Sequence, residues 1–181
     1  MPLKPDLLIW TDGSRHREQG FSGCAVVFGG KLWKNPRLGS FGVSLGVQPS
    51  ADVAEIYGHI YALRLALWLH ETYCPPREKR FFDRVVIVTD SKFTSDHYDF
   101  LLFSASPAQL AAAPAIVQEA VGLIRQILKL GVGVEVRWER RDSSHGNREA
   151  DRLAGVASRI ANKGYGVEEW VEEIAVREEK K

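Results

Sequence analysis

The chain has 181 residues, 45% hydrophobic and 26% charged, with a formal net charge of +1. This is globular composition, enough for one domain with a well-buried core or one domain plus a short appendage, and it excludes disorder over most of the length. Cys24 and Cys74 are too few for a disulfide framework and lack metal-site spacing; no run of about 18 apolar residues offers a membrane span; and Met1–Asp6 has no signal-peptide pattern, so an intracellular location, cytoplasm or nucleus, is expected.

Residues 7–12, LLIWTD, read as a strand ending at a Gly13-Ser14 turn. Residues 23–28 and 41–47 read as two further strands, joined by a Gly-, Lys- and Pro-rich connection. Gln48-Pro49-Ser50 breaks the pattern, and a helix starts near Ala51 with Ser50 as N-cap and runs to about Thr72. Between Glu55 and Leu69 it is apolar on nearly all sides, which marks a buried helix. A polar connection leads to 85–90, VVIVTD, a β-branched run typical of a strand covered on both faces. A helix is expected from Ser91, a loop or broken helix over 104–114, and a helix over 115–130 closed by Gly131. Residues 132–138 alternate as a strand, 139–147 form a polar loop, and a helix runs from about Arg148 to Asn162. Residues 163–166 read as a linker, and 167–177 as a short terminal helix. Three hairpin-linked strands followed by strands alternating with helices predict an α/β domain with a mixed sheet covered by helices.

Two strands close alike, as Leu7-Leu8-Ile9-Trp10-Thr11-Asp12 and Val85-Val86-Ile87-Val88-Thr89-Asp90. Side by side and parallel, they would bring Asp12 and Asp90 together at the carboxyl edge of the sheet, where α/β proteins bind ligands. Taken singly, each aspartate could equally start a turn or cap a helix. Glu55 lies near the start of the buried helix, where the dipole alone favours an acid. Its apolar neighbours point it at protein, with His59 at i+4 as a candidate partner. Asp151 lies in the last helix, with Ala150, Leu153 and Ala154 around it. A convergence of such carboxylates is tolerable only with cations. An all-oxygen set suits Mg²⁺, and two such ions can clamp a phosphodiester displacement.

The net charge neither supports nor forbids a nucleic-acid partner, because an acidic cluster cancels basic residues in the sum. Local basic groups at Lys31, Lys34 and Arg37, at Arg77, Lys79 and Arg80, and at Arg137, Arg140 and Arg141 read as solvated surface. No glycine-rich phosphate loop, nucleophile elbow or dinucleotide fingerprint is present.

Four segments in order, Thr11-Asp12-Gly13-Ser14, Ala54-Glu55, Thr89-Asp90-Ser91 and Gly146-Asn147-Arg148-Glu149-Ala150-Asp151-Arg152-Leu153-Ala154, resemble the signature of the type 1 ribonuclease H family over about residues 6–162. The resemblance implies a ribonuclease H-like fold: a five-stranded mixed sheet, the first three strands antiparallel, flanked by helices. It implies a domain over 1–165 with a short C-terminal extension over 166–181. It further implies hydrolysis of the RNA strand of RNA/DNA hybrids, with Asp12, Glu55, Asp90 and Asp151 holding two Mg²⁺ ions, or Mn²⁺ as a substitute. A catalytically inactive module that binds nucleic acid or organises an assembly is the alternative. Gly13, Ser14, Arg15, Ser91, Lys92 and Asn147 are candidate substrate contacts, and Asn147 among them rests on a family motif.

The chain departs from the family pattern in three places. Ser50-Ala51 stands where members often have Thr-Asn before the helix glutamate. The usual loop histidine, about ten residues before the last aspartate, falls near Arg141, leaving either His145, the candidate catalytic histidine of the loop, or Arg141 to take its role. Residues 98–114 carry no Lys or Arg, so the basic handle of some members is absent. Substrate grip is then left to an attached domain, a protein partner or the local basic clusters.

Overall fold

In a computed structural model of the chain, the described residues are 5–29, 39–74 and 81–162. The basic groups at Lys31, Lys34 and Arg37 and at Arg77, Lys79 and Arg80, the linker over 163–166 and the helix expected over 167–177 lie outside them. The strands are β1 (Leu7–Arg15), β2 (Phe21–Phe28), β3 (Phe41–Val47), β4 (Arg84–Thr89) and β5 (Gly133–Trp138). The helices are α1 (Ala51–Tyr73), α2 (Lys92–Phe103), α3 (Pro107–Ala112), α4 (Ala115–Lys129) and α5 (His145–Ala161). The sheet order is β3-β2-β1-β4-β5. β1 pairs antiparallel with β2, as β2 does with β3, while β1–β4 and β4–β5 are parallel. The sheet is therefore mixed, with its first three strands antiparallel. Among the described residues no helix is long and apolar enough to cross a membrane.

Alternation along the strands divides the core. Leu7 and Ile9 of β1, with Val26 and Phe28 of β2, pack towards Ile56, Ile60 and Leu63 of α1 and Ile124 of α4. On the other face, Trp10, Ala25 and Val27 meet Ala150, Leu153 and Ala154 of α5. α1 begins at Ser50, whose hydroxyl accepts from the Val53 amide at 3.3 Å. Ala54, Ile56, Ile60, Leu63, Ala66 and Leu69 of α1 are all buried, as its all-round apolar sequence requires.

Several boundaries differ from the sequence reading, among them the start of β2 at Phe21 instead of residue 23. β1 runs on past Asp12, pairing Gly13 with Cys24 and Ser14 with Gly23, so the turn moves from Gly13-Ser14 to 16–20. There the His16 amide donates to the Phe21 carbonyl at 2.8 Å, and Gly20 takes φ +73°, a conformation glycine adopts without strain. Pairing with β2 overrides the local turn signal of Gly-Ser. Within 104–114, a six-residue helix forms because Ser106 and Gln109 make a reciprocal capping box. α5 starts at His145 instead of about Arg148, because the Ser144 hydroxyl caps the Asn147 amide at 3.2 Å.

Candidate active site

Parallel pairing of β1 with β4 brings the two Thr-Asp segments to the same edge of the sheet. Asp12 is 3% exposed and Glu55 6% exposed. Asp12, Glu55 and Asp90 each offer a carboxylate oxygen, and these lie within 4.8 Å of one another. α1 reaches this edge because residue 13 is glycine. A Cβ there would sit 2.3 Å from the Glu55 backbone nitrogen and 2.6 Å from the Ala54 carbonyl carbon. Gly13 thus lets the helix carry Glu55 against the strand that carries Asp12.

Among the described residues, both carboxylate oxygens of Asp12 and Oε2 of Glu55 are buried without a hydrogen-bond partner. Burial pushes the Asp12 carboxyl up to about 7, helped by the charges of Asp90 and Asp151, while Arg141 and the Gly13 amide oppose. Glu55 is raised well above the usual carboxylate range, again by burial first and then by Asp12 and Asp90. Unpartnered buried oxygens are costly, and here they converge on one point.

Asp151 lies outside that trio. It is exposed on α5 and is tied to the others through Arg141. The Arg141 Nε donates to Asp90 Oδ2 at 2.6 Å, and a terminal nitrogen lies 3.5 Å from Asp151 Oδ1 and 3.9 Å from Asp12 Oδ1. Arg141 stands in the sequence where the family keeps its loop histidine, as the alternative to His145, and nothing local shows its reach to these carboxylates. Its spacing ahead of Asp151 was the available signal. The Trp138 indole N–H donates to the Asp90 carbonyl oxygen at 3.0 Å, a second contact that sequence did not suggest.

The other candidates separate. Asn147 is buried, and its Oδ1 accepts from the Asp142 amide at 2.7 Å, holding Asp142 at φ +61°. It thereby shapes the loop that presents Arg141. Gly146 makes room for the Trp10 indole, which a Cβ would approach to 2.1 Å. Ser91 caps α2, its hydroxyl accepting from the Thr94 amide, and Lys92 beside it is exposed. Arg15 Nε donates to the Gln48 carbonyl at 2.8 Å, and Ser14 lies between Asp12 and Arg15 on β1. His145, the first residue of α5, is exposed. The expected partnership of His59 with Glu55 does not form. Both ring nitrogens of His59 lack partners among the described residues, its ring packs 5.3 Å from that of Tyr98, and burial lowers its pKa to about 3. His59 is a neutral core residue.

A mixed sheet of this order, with carboxylates gathered where β1, β4 and α1 meet, defines an α/β domain of the ribonuclease H-like fold. The RNase H family profile matches residues 4–159. The chain belongs to the RNase H family and is a ribonuclease H hydrolase by that membership. Among solved structures, the N-terminal RNase H domain of Rv2228c from Mycobacterium tuberculosis, solved as a fusion with maltose binding protein, is similar with a TM-score of 0.62 at 20% identity, over 88% of this chain and 98% of that one. RNase H1 of the halophilic archaeon Halobacterium salinarum NRC-1 gives 0.58 at 17%, over 86% and 98%. LC11-RNase H1, in complex with an RNA/DNA hybrid, gives 0.61 at 17%, over 86% and 99%. No curated protein matches the chain in sequence.

Proposed function

We propose that the chain is an endoribonuclease that hydrolyses the RNA strand of RNA/DNA hybrids, using two divalent ions held by Asp12, Glu55, Asp90 and Asp151. The observation that carries this reading is the set of buried, unpartnered carboxylate oxygens on Asp12 and Glu55, within reach of Asp90. Hydrogen bonding leaves them uncompensated, and an all-oxygen, multiply negative donor set fits Mg²⁺ or Mn²⁺. When bound, such ions supply an activated water and stabilise charge on the attacking and leaving oxygens. The protein's share is positional. β1 holds Asp12 beside the end of β4, which presents Asp90, while α1 carries Glu55 and α5 carries Asp151.

A hybrid is recognised by backbone shape and by the 2′-hydroxyls of its RNA strand, so cleavage without sequence preference is expected. Gly13, Ser14, Arg15, Ser91, Lys92 and Asn147 are the proposed substrate contacts, with His145 as an auxiliary at the start of α5. Buried Asn147 would act through the loop it holds. An intracellular location and the division into a domain over 1–165 and an extension over 166–181 belong to the same proposal, as does an attached domain or partner aiding substrate grip.

The test is cleavage of labelled RNA/DNA hybrid, duplex DNA and duplex RNA with Mg²⁺, with Mn²⁺ and with chelator. Metal-dependent cutting of the RNA strand in the hybrid alone is expected. Intact RNA with either metal overturns the reading in favour of an inactive binding module.

A further inference from the structure

Beyond the carboxylates, β1 continues through Ser14 and Arg15 to the 16–20 turn, while α5 runs from Asp151 to Ser158 and Arg159. These stretches wall an open groove of about 420 Å³, lined by the guanidinium-bearing Arg15, Arg17 and Arg159, by His16, and by the hydroxyl-bearing Ser14 and Ser158. Glu18 is the one acid among the described residues lining it. Three guanidiniums thus face a single carboxylate.

Elsewhere among the described residues five arginines are compensated by carboxylates, while Arg125, Arg140 and Arg148, like those of the groove, are in no ion pair. Arg64, Arg84, Arg137, Arg141 and Arg152 each form an ion pair with a carboxylate. Among the described residues, Arg15, Arg17 and Arg159 form none. The hydrogen bond from Arg15 goes to the Gln48 carbonyl, which orients the side chain without neutralising it. The Ser158 hydroxyl donates to the Phe21 carbonyl at 3.0 Å, fixing α5 against the start of β2. The groove is therefore a fixed concavity with uncompensated positive charge, which concentrates anions.

Its place relative to the carboxylates is also fixed. Asp151 and Arg159 lie on one helix, and their separation is about 12 Å at roughly 1.5 Å of rise per residue. Along a bound strand that offset amounts to a few nucleotides. With no Lys or Arg over 98–114, the substrate needs another cationic hold.

We propose that this groove is a backbone-phosphate subsite, in which Arg17 and Arg159, beside Arg15, hold a nucleic-acid strand a few nucleotides from the cleavage point. The inference rests on the nuclease reading and assigns the second hold that sets where the strand lies. Phosphate contacts of this kind position the duplex without reading its sequence.

The test measures affinity for a fluorescent hybrid by anisotropy in Mg²⁺ across a KCl series, with Asp12→Asn in every chain to prevent cutting. Replacing both Arg17 and Arg159 by Gln should weaken binding at least about tenfold and reduce the slope of log affinity against log salt by about 1.4–1.8, for two lost phosphate contacts. Glu18→Gln should tighten binding by about twofold, a gain that misfolding cannot imitate. A hybrid too short to reach the groove should bind the Asp12→Asn chain and its double-Gln derivative equally. With Asp12 restored, the double Gln variant should raise KM for long hybrid while kcat is kept. An unchanged salt slope and KM overturn the subsite even if the wild type cuts hybrid normally. A wild type that cuts no hybrid overturns the nuclease reading itself.

Discussion

Thr11-Asp12 and Thr89-Asp90 follow near-identical apolar runs on neighbouring parallel strands, yet the two aspartates meet different surroundings. β4 stops at Thr89, so Asp90 projects from the strand end, its carboxylate gripped by Arg141 and its carbonyl by the Trp138 indole. β1 instead continues to Arg15 along β2, with α1 closing over Gly13 and α5 over Trp10, and Asp12 is buried without a hydrogen-bond partner. The same dipeptide gives one compensated and one uncompensated carboxylate. What differs is what the rest of the fold lays over each, which no local pattern encodes.

The largest effects should come from neutralising the two aspartates. Asp12→Asn and Asp90→Asn should each lower hybrid cleavage at least about a hundredfold, the scale on which preorganised charge contributes to catalysis. They should part company in stability. In the folded chain Asp12 keeps its proton up to about pH 7, against an ordinary value of 3.8. The folded state therefore binds more protons than the unfolded state between these values, and metal-free stability should fall as pH rises from about 4 to about 7. A gap of about three pKa units corresponds to at most about 4 kcal/mol. Asp12→Asn should make this decline shallower in chemical denaturation with chelator, leaving the share contributed by Glu55, which burial also raises. Asp90→Asn should leave much of it, since burial is the larger cause at Asp12. An equally steep decline in Asp12→Asn would show that Asp12 is not the buried acid responsible.

The residues that follow the two aspartates sharpen the contrast. Gly13 has α1 backbone where its Cβ would stand, whereas Ser91 uses its side chain to cap α2. Gly13→Ala should cost about 3 kcal/mol, because helix and strand must separate, and should cut activity by moving Glu55 away from Asp12. Ser91→Ala should cost about 1 kcal/mol, the value of an N-cap. Equal costs, measured by urea unfolding, would mean that the strand-to-helix approach at Gly13 is not tight.

Much of this was legible in the sequence. The apolar runs ending in Thr-Asp and the all-round apolar helix carry their own physical signals, and the ordered carboxylates carry the family. The extension of β1 past Asp12 was hidden because it depends on pairing with β2. The packing duties of Gly13 and Gly146 were hidden because each is set by a group distant in sequence, the α1 backbone and the Trp10 ring. Asn147 read as a substrate contact, yet its carbonyl oxygen serves the positive-φ Asp142 in a loop whose shape has no periodic signature. Arg141 was visible only as an oddity of spacing, since its reach to three aspartates comes from that loop.

The smallest effects concern that loop and ask which residue does its work. The Arg141 side chain is 59% exposed, so its pairing with Asp90 should contribute no more than about 1 kcal/mol to stability. Its consequence for cation binding is more telling, because its N–H groups engage oxygens of Asp90, Asp151 and Asp12 that the metal would use. A unit positive charge about 4 Å from a carboxylate in a water-like dielectric opposes a competing cation by about 1 kcal/mol per charge, so by about 2 kcal/mol, or roughly thirtyfold in affinity, for a divalent ion. Arg141→Ala should therefore tighten Mn²⁺ binding by about that factor in titration calorimetry, while turnover of hybrid falls. His145→Ala, altering an exposed residue at the start of α5, should leave Mn²⁺ affinity unchanged and lower turnover modestly. If His145→Ala slows turnover more than Arg141→Ala does, the auxiliary role belongs to the histidine and the arginine is only a counter-charge. If Arg141→Ala leaves Mn²⁺ affinity unchanged, the guanidinium does not compete for the carboxylates, and the compensated state of Asp90 is not what sets it apart from Asp12.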